Sequence, residues 1–261
     1  MNKRKLITVA VFLLLLCAVV FMPHHFLNRT LNTLKFRIYE TIGKIRSSNA
    51  LLEEISPYSN APYAEYNGNF PCFTEEEIRS LYRENGELLS FESYSALDAF
   101  GRTQKAEALL GIDLMPADDR EPLSSVRPAG WHVYTVDPLE MPDGSSYLYN
   151  RCHLIAFCLS GENDNEKNLI TGTRQLNLTM EEFELKVSYY IHSTKNHVFY
   201  RVTPVYNGAD QLATGVLMEA YSMEDSGKGI CFCIFVYNVQ TLLNGSVKID
   251  YYDGTAEFSW E

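Results

Sequence analysis

Cations are scarce in this 261-residue chain, which has 22 Lys and Arg against 33 Asp and Glu and a net charge of −11 at pH 7. Three of those cations, Lys3, Arg4 and Lys5, open the chain, and without them the remainder stands at −14. Binding of a polyanion through a generally basic surface is thereby excluded, and any such ligand needs a local patch. Several motifs are missing too: no GxSxG elbow, no HExxH and no P-loop lysine occurs, which removes three common hydrolase and nucleotide-binding designs. There is no internal repeat or low-complexity tract, so a solenoid is not indicated. Of six cysteines, Cys17 lies in an apolar run, and the other five, Cys72, Cys152, Cys158, Cys231 and Cys233, cannot all pair. Cys231 and Cys233 would share one face of a strand and pack as small apolar residues, while a Cys152–Cys158 bridge has nothing to support it. The CxC at 231–233 lacks the paired CxxC of a zinc ribbon.

What is present at the N-terminus is a positive cluster followed by seventeen apolar residues from Leu6 to Met22. As a helix these would extend about 25 Å, long enough for an anchor or a signal peptide. The bulky Phe21-Met22-Pro23-His24 offers no small-x-small cleavage site, which favours an uncleaved single-pass anchor over secretion. A leucine before Cys17 fits lipoprotein processing poorly. The positive flank puts the rest of the chain outside the cytoplasm. Leu27, Leu31, Leu34 and Ile38 recur at helical spacing and predict a stalk over 24–56, which ends at the SPYSNAPY break. The division expected is 1–23 signal anchor or signal peptide, 24–56 stalk and 57–261 one domain, ample for its own core.

The densest chemistry lies in residues 147–177, YLYNRCHLIAFCLSGENDNEKNLITGTRQLN. Asn150-Arg151-Cys152-His153 ends an apolar, aromatic run, and Asn168, Arg174 and Asn177 follow. Residues 178–192 read as a helix, with Met180, Phe183, Val187 and Ile191 at spacings of three and four, so the segment runs strand, loop, strand, helix. Asn177 would then stand at the helix N-cap, a position that suits asparagine for capping alone. Glu184 lies seven residues on, two turns along the same side, with Glu181 and Glu182 one turn earlier. A neutral histidine can accept a proton near neutral pH, and a hard cation such as Mg²⁺ needs only one or two protein oxygens, so an asparagine carbonyl can suffice. Arginine forks hold phosphate in two-point contact. Cys152 and His153 make a poor nucleophile–base pair, because neighbours on a strand point to opposite faces.

These residues resemble the ββα-metal (His-Me finger) signature of the DNA/RNA non-specific endonucleases, in the branch of the streptococcal DNA-entry nuclease and secreted streptococcal DNases. The likeness extends in order through LDAFGR (97–102), RPAGWH (127–132), GTRQLN (172–177), HVFYRVTPVYNG (197–208), GVLMEAYSMED (215–225) and FVYNVQ (235–240). It implies His153 as general base, Asn177 as the protein ligand of Mg²⁺ or Mn²⁺, Glu184 ordering the metal's water, and Asn168 orienting the site. Arg151, beside the base, would also steady the phosphate as a catalytic residue, and Arg151, Arg174 and Asn150 would contact nucleic acid. Where the wider superfamily has Asp-Arg-Gly-His, this chain has Asn150-Arg151-Cys152-His153, which leaves the role of Asn150 open.

The fold expected is α+β: a central antiparallel sheet, built from the Val-, Tyr- and Phe-rich segments HVFYRVTPVY, GVLMEAYS, ICFCIFVYNVQ and VKIDYY, with the finger motif against one face. The function expected is a metal-dependent, sequence-non-specific endonuclease acting on DNA, and on RNA as a further substrate, at the outer face of a bacterial membrane. No organic cofactor is called for, and the sequence identifies neither an inhibitor nor a DNA-uptake partner. Net acidity is the objection, and Arg102, Arg120, Arg127, Arg151, Lys167 and Arg174 are the cations nearest the motif that could offset it. The rival reading is a non-catalytic surface protein that binds DNA.

Overall fold

The computed structural model describes residues 48–260 apart from Asp118 and Ser124. The expected anchor at 1–23 and residues 24–47 of the expected stalk lie outside the described residues. Among the described residues no helix is long and apolar enough to cross a membrane.

The elements are α1 (Ser48–Glu54), β1 (Tyr63–Glu65), α2 (Glu75–Ser80), β2 (Phe91–Tyr94), β3 (Ala106–Leu110), β4 (Tyr149–His153), α3 (Phe157–Ser160), β5 (Leu169–Thr173), α4 (Arg174–Thr194), β6 (Val198–Val205), β7 (Gly215–Ser222), β8 (Cys231–Tyr237), β9 (Gly245–Ile249) and β10 (Ala256–Trp260). Six strands form an antiparallel sheet in the order β1-β8-β7-β6-β3-β2. Its central strand β7 is buried at every position, which explains why GVLMEAYS shows no apolar–polar alternation: both faces are covered. On one face Val198, Tyr200 and Val202, then Val216, Met218 and Ala220, then Phe232, Ile234 and Val236 meet Met180, Phe183, Val187 and Ile191 of α4. Each such Val, Ile, Phe or Met side chain contributes about 1.5–3 kcal/mol by leaving water.

The opposite face carries Leu109, Phe199 and Tyr221 under Phe73, and Leu217, Cys233 and Phe235 under Tyr66. Leu51 and Leu52 of α1, with Ile55 beyond it, also pack there. The packed domain therefore begins before residue 57, since an apolar side of this short helix had a sheet face to cover. Cys231 and Cys233 pack on this face, and the five described cysteines form no disulfide with one another. The segment VKIDYY gives β9, but β9 pairs with β10 in a separate ribbon and takes no place in the main sheet.

The finger consists of β4 paired antiparallel with β5, His153 opposite Leu169 and Tyr149 opposite Thr173, followed directly by α4. The helix starts at Arg174, four residues before the sequence periodicity shows it, because Thr173 supplies the cap: its hydroxyl accepts from Leu176 N at 3.0 Å. Asn177 accordingly lies inside the first turn and not at the N-cap. Asn238, fully buried at the end of β8, ties this junction to the main sheet. Its Oδ1 accepts from Thr173 N at 2.8 Å, and its amide nitrogen donates to the carbonyls of Ala213 and Thr171 at 3.0 and 3.3 Å.

Gly172, between the two finger strands and α4, has no room for a side chain: a Cβ there would lie 2.5 Å from Cys152 Sγ and 2.8 Å from Leu176 Cδ2. Gly172→Ala is expected to cost about 1–3 kcal/mol through overpacking. Urea denaturation checks this, and an unshifted midpoint would contradict the packing described.

Candidate active site

His153 at the end of β4, Asn177 in the first turn of α4 and Glu184 two turns along it line one cavity of about 220 Å³, joined by Arg120 and Glu181. The seven-residue spacing on α4 puts Asn177 and Glu184 on one side of the helix. Thr173 does the capping, which leaves Asn177 without that reason for its place.

The imidazole of His153 is only 8% exposed, with Nε2 2.7 Å from the Asn163 carbonyl and Nδ1 3.4 Å from Arg120 Nη2. A carbonyl can only accept and a guanidinium can only donate, so Nε2 carries the hydrogen and Nδ1 presents a lone pair beside Arg120. Burial pushes the imidazole down to about 4, with the Arg120 charge adding to it and the Asn163 carbonyl opposing. The ring is therefore neutral across the physiological range and able to accept a proton.

Glu184 is buried, and its Oε1 has no hydrogen-bond partner. Burial, then the neighbouring Glu181 charge, raises the carboxyl to about 8, against the pull of Arg120. A divalent cation would reverse that balance by favouring the carboxylate. The donors on offer, an amide carbonyl and an orphaned carboxyl oxygen, are hard oxygens of the type a hydrated Mg²⁺ or Mn²⁺ takes. Among the described residues, the group of His, Cys, Asp or Glu side chains that brings three ligand atoms within 4.8 Å of one another lies elsewhere: Cys72, Glu219 and Cys233. It lies on the sheet face opposite α4, and Glu219 there already accepts from Cys72 N at 2.7 Å and faces the Arg201 charge. Cys152, Cys158 and Cys231 take no part in such a group.

Asn168 is wholly buried and does not reach the cavity. Its Nδ2 donates to the Ile155 carbonyl at 3.0 Å, its Oδ1 accepts from Ile155 N at 2.9 Å, and its own carbonyl accepts from Leu154 N at 2.8 Å. It clamps the chain leaving His153 to the start of β5, and so positions the histidine. Arg151 and Asn150 line a second, larger cavity of about 470 Å³ that shares Arg120 with the first. The Arg151 guanidinium lies 4.0 Å from the centre of the Trp131 ring and its Nε donates to the Val126 carbonyl. Arg174 is not brought to either cavity: its Nε lies 2.6 Å from Asp143, at a third hollow with Gln175 and Glu182.

Arg120 was marked by sequence only as one of six nearby cations. It sits 33 residues before His153 in an irregular stretch, so neither periodicity nor spacing could single it out. Arg120 and Arg151 line the larger cavity, and burial, then the charge of Arg127, lowers the pKa of Arg151. Arg102, by contrast, is consumed by Asp98 and by the carbonyls of Gly208 and Asp210.

Asn168→Ala would strand two backbone groups of Ile155 and is expected to destabilise the protein by roughly 1–3 kcal/mol. A thermal or urea midpoint equal to that of the parent would contradict the clamp. For Glu184 the sign is set by a pKa raised in the folded state: the stability is full below about 4.5 and is lost progressively as pH rises through about 8. In chelator, Glu184→Gln should therefore raise the melting temperature at pH 8 and above and give no gain at pH 4. A lowered melting temperature at both values would show that the buried charge is not a burden.

The model of the DNA/RNA non-specific endonuclease family matches residues 81–224, which include His153, Asn177 and Glu184. A deoxyribonuclease of Streptococcus dysgalactiae subsp. equisimilis is 40% identical over 88 residues, which are 31% of this chain and 26% of that protein, so the match spans about a quarter of the relative. NucA from Streptococcus agalactiae with no metal bound superposes with a TM-score of 0.63 at 22% identity, covering 81% of this chain and 94% of that one. The same protein with magnesium bound gives 0.60 at 21% identity over 77% and 91%. Sda1 nuclease with a bound zinc ion gives 0.60 at 24% identity over 78% and 100%. At these identities the structural likeness is one of fold, whereas the family model covers more than half of the chain, and the chain belongs to the DNA/RNA non-specific endonuclease family.

Proposed function

We propose that the protein is a metal-dependent, sequence-non-specific endonuclease that hydrolyses phosphodiester bonds of DNA, and of RNA as a further substrate, outside the cell. The observation that carries this reading is a neutral, buried His153, with Nδ1 free of hydrogen, in one cavity with Asn177, the unpartnered Glu184 and Arg120.

In this reading Nδ1 of His153 takes the proton from the attacking water, while Nε2–H stays on the Asn163 carbonyl and fixes the ring. Arg120 donates to the phosphate and holds it in line, with Arg151 and Arg127 further along the strand. Asn177 and Glu184 would hold a divalent cation, Mg²⁺ or Mn²⁺. That cation supplies charge neutralisation on the phosphate and on the leaving oxygen. The magnesium and zinc bound in NucA and Sda1 support a divalent ion. The name of the streptococcal deoxyribonuclease supports DNA as substrate. Lys3-Arg4-Lys5 followed by the apolar run to Met22 supports tethering on the outer face of a membrane, with secretion as the other route to the same compartment.

Plasmid digestion by the full chain tests the proposal, with Mg²⁺, with chelator, and with His153→Ala. Cutting should require the cation and fall by at least about 100-fold in the variant, the usual loss on removing a general base. Undiminished turnover by His153→Ala would overturn the mechanism. A folded protein that binds DNA and never cuts with any divalent ion would instead establish the non-catalytic reading.

A further inference from the structure

We infer that the 470 Å³ cavity beside the candidate active site is a nucleotide subsite, which receives one unstacked nucleobase from the strand being cut and so makes the enzyme favour single-stranded or locally opened nucleic acid. This inference rests on the endonuclease reading above.

Four observations carry it. Arg120 belongs to both cavities, so a phosphate held there would have its reacting side toward His153 and its attached nucleoside toward the larger hollow. The walls are aromatic and cationic, with Trp131, Tyr147 and Tyr149 present and Arg151 stacked on Trp131 at 4.0 Å. Bases stack on such platforms whatever their identity, which agrees with an enzyme indifferent to sequence. Two lining residues each hold a polar atom that is closed off from solvent and has no hydrogen-bond partner: the hydroxyl of Tyr149, a residue 4% exposed, and Oδ1 of Asn150. Buried polar groups are ordinarily satisfied, so this donor and acceptor would gain partners by turning toward the edge of a nucleobase in the cavity. Finally, the volume falls in the range of about 300–1,000 Å³ typical of small-ligand sites.

A base inside a duplex is stacked and paired, and reaching this hollow requires it to leave the stack; in a single strand much less has to be broken. The tyrosine and asparagine that the finger motif places before Arg151 thereby gain a role that hydrolysis itself does not require.

The chain has two tryptophans, Trp131 and Trp260, so Trp260→Phe leaves Trp131 as sole reporter. Its fluorescence is followed in chelator during titration with thymidine 5′-monophosphate and, separately, with inorganic phosphate. Saturable quenching by the nucleotide and none by phosphate is expected. Tyr149→Phe and Asn150→Ala, each checked for an unchanged melting profile, should weaken the nucleotide about fivefold or more. No response to the nucleotide, an equal response to phosphate, or indifference to both substitutions would overturn the subsite. Initial rates on matched single- and double-stranded DNA keep the two claims apart. Cutting without nucleotide quenching removes the subsite and leaves the endonuclease reading standing; quenching without cutting does the reverse.

Discussion

An ionisable carboxyl buried on the packed side of a helix, with one oxygen that has no hydrogen-bond partner, is the constraint on which the site depends. Met180, Phe183, Val187 and Ile191 show what that side of α4 asks for, and a leucine at position 184 would serve packing better than a glutamate. The cost of Glu184 is visible in a carboxyl pushed up to about 8. Its neighbour His153 is pushed the other way, to about 4, by the same exclusion of water. Both groups are thus neutral near pH 7, and a dication would restore the charge on one while leaving the other free to take a proton. The environment separates their roles without any direct contact between them.

Holding these groups at one mouth is the work of two buried asparagines. Asn168 ties the turn after His153 to β5, and Asn238 ties the start of α4 to the main sheet. The histidine comes from a strand and its partners from a helix, so the site exists only while the finger keeps its register on the core. Sheet, clamp and cavity form one chain of dependence. The acidity of the molecule ceases to be an objection at this scale, because charge is sorted by place. Arg102 and Arg201 are spent inside on Asp98 and on Glu77 and Glu107, and Arg174 on Asp143, while Arg120 and Arg151 line the cavities and the charge of Arg127 is felt at Arg151.

Much of this was readable in the residues. The strands of the main sheet declared themselves by β-branched and aromatic content, and α4 by the spacing of its apolar residues. The strand–loop–strand–helix order around His153 followed. The start of α4 was not readable, because Thr173 belongs at once to a strand and to a cap, and the first turn, Arg174 to Asn177, shows little periodicity. Nor was the burial of Glu184: sequence gives a glutamate on a helix and no measure of what covers it. Arg120 and Trp131 lie in an irregular stretch whose path is set by contacts with the finger, and local patterning carries no record of those contacts. The separation of β9 from the main sheet is likewise a matter of pairing partners, which strand propensity does not encode.

The most direct test of the account is the position of a metal ion in crystals grown with Mn²⁺, located by its anomalous scattering. The account predicts a peak at coordination distance from Asn177 Oδ1, with Glu184 in the surrounding shell and His153 facing the same cavity. A peak at Cys72, Glu219 and Cys233 with none beside Asn177, or no ordered ion at all, would contradict it.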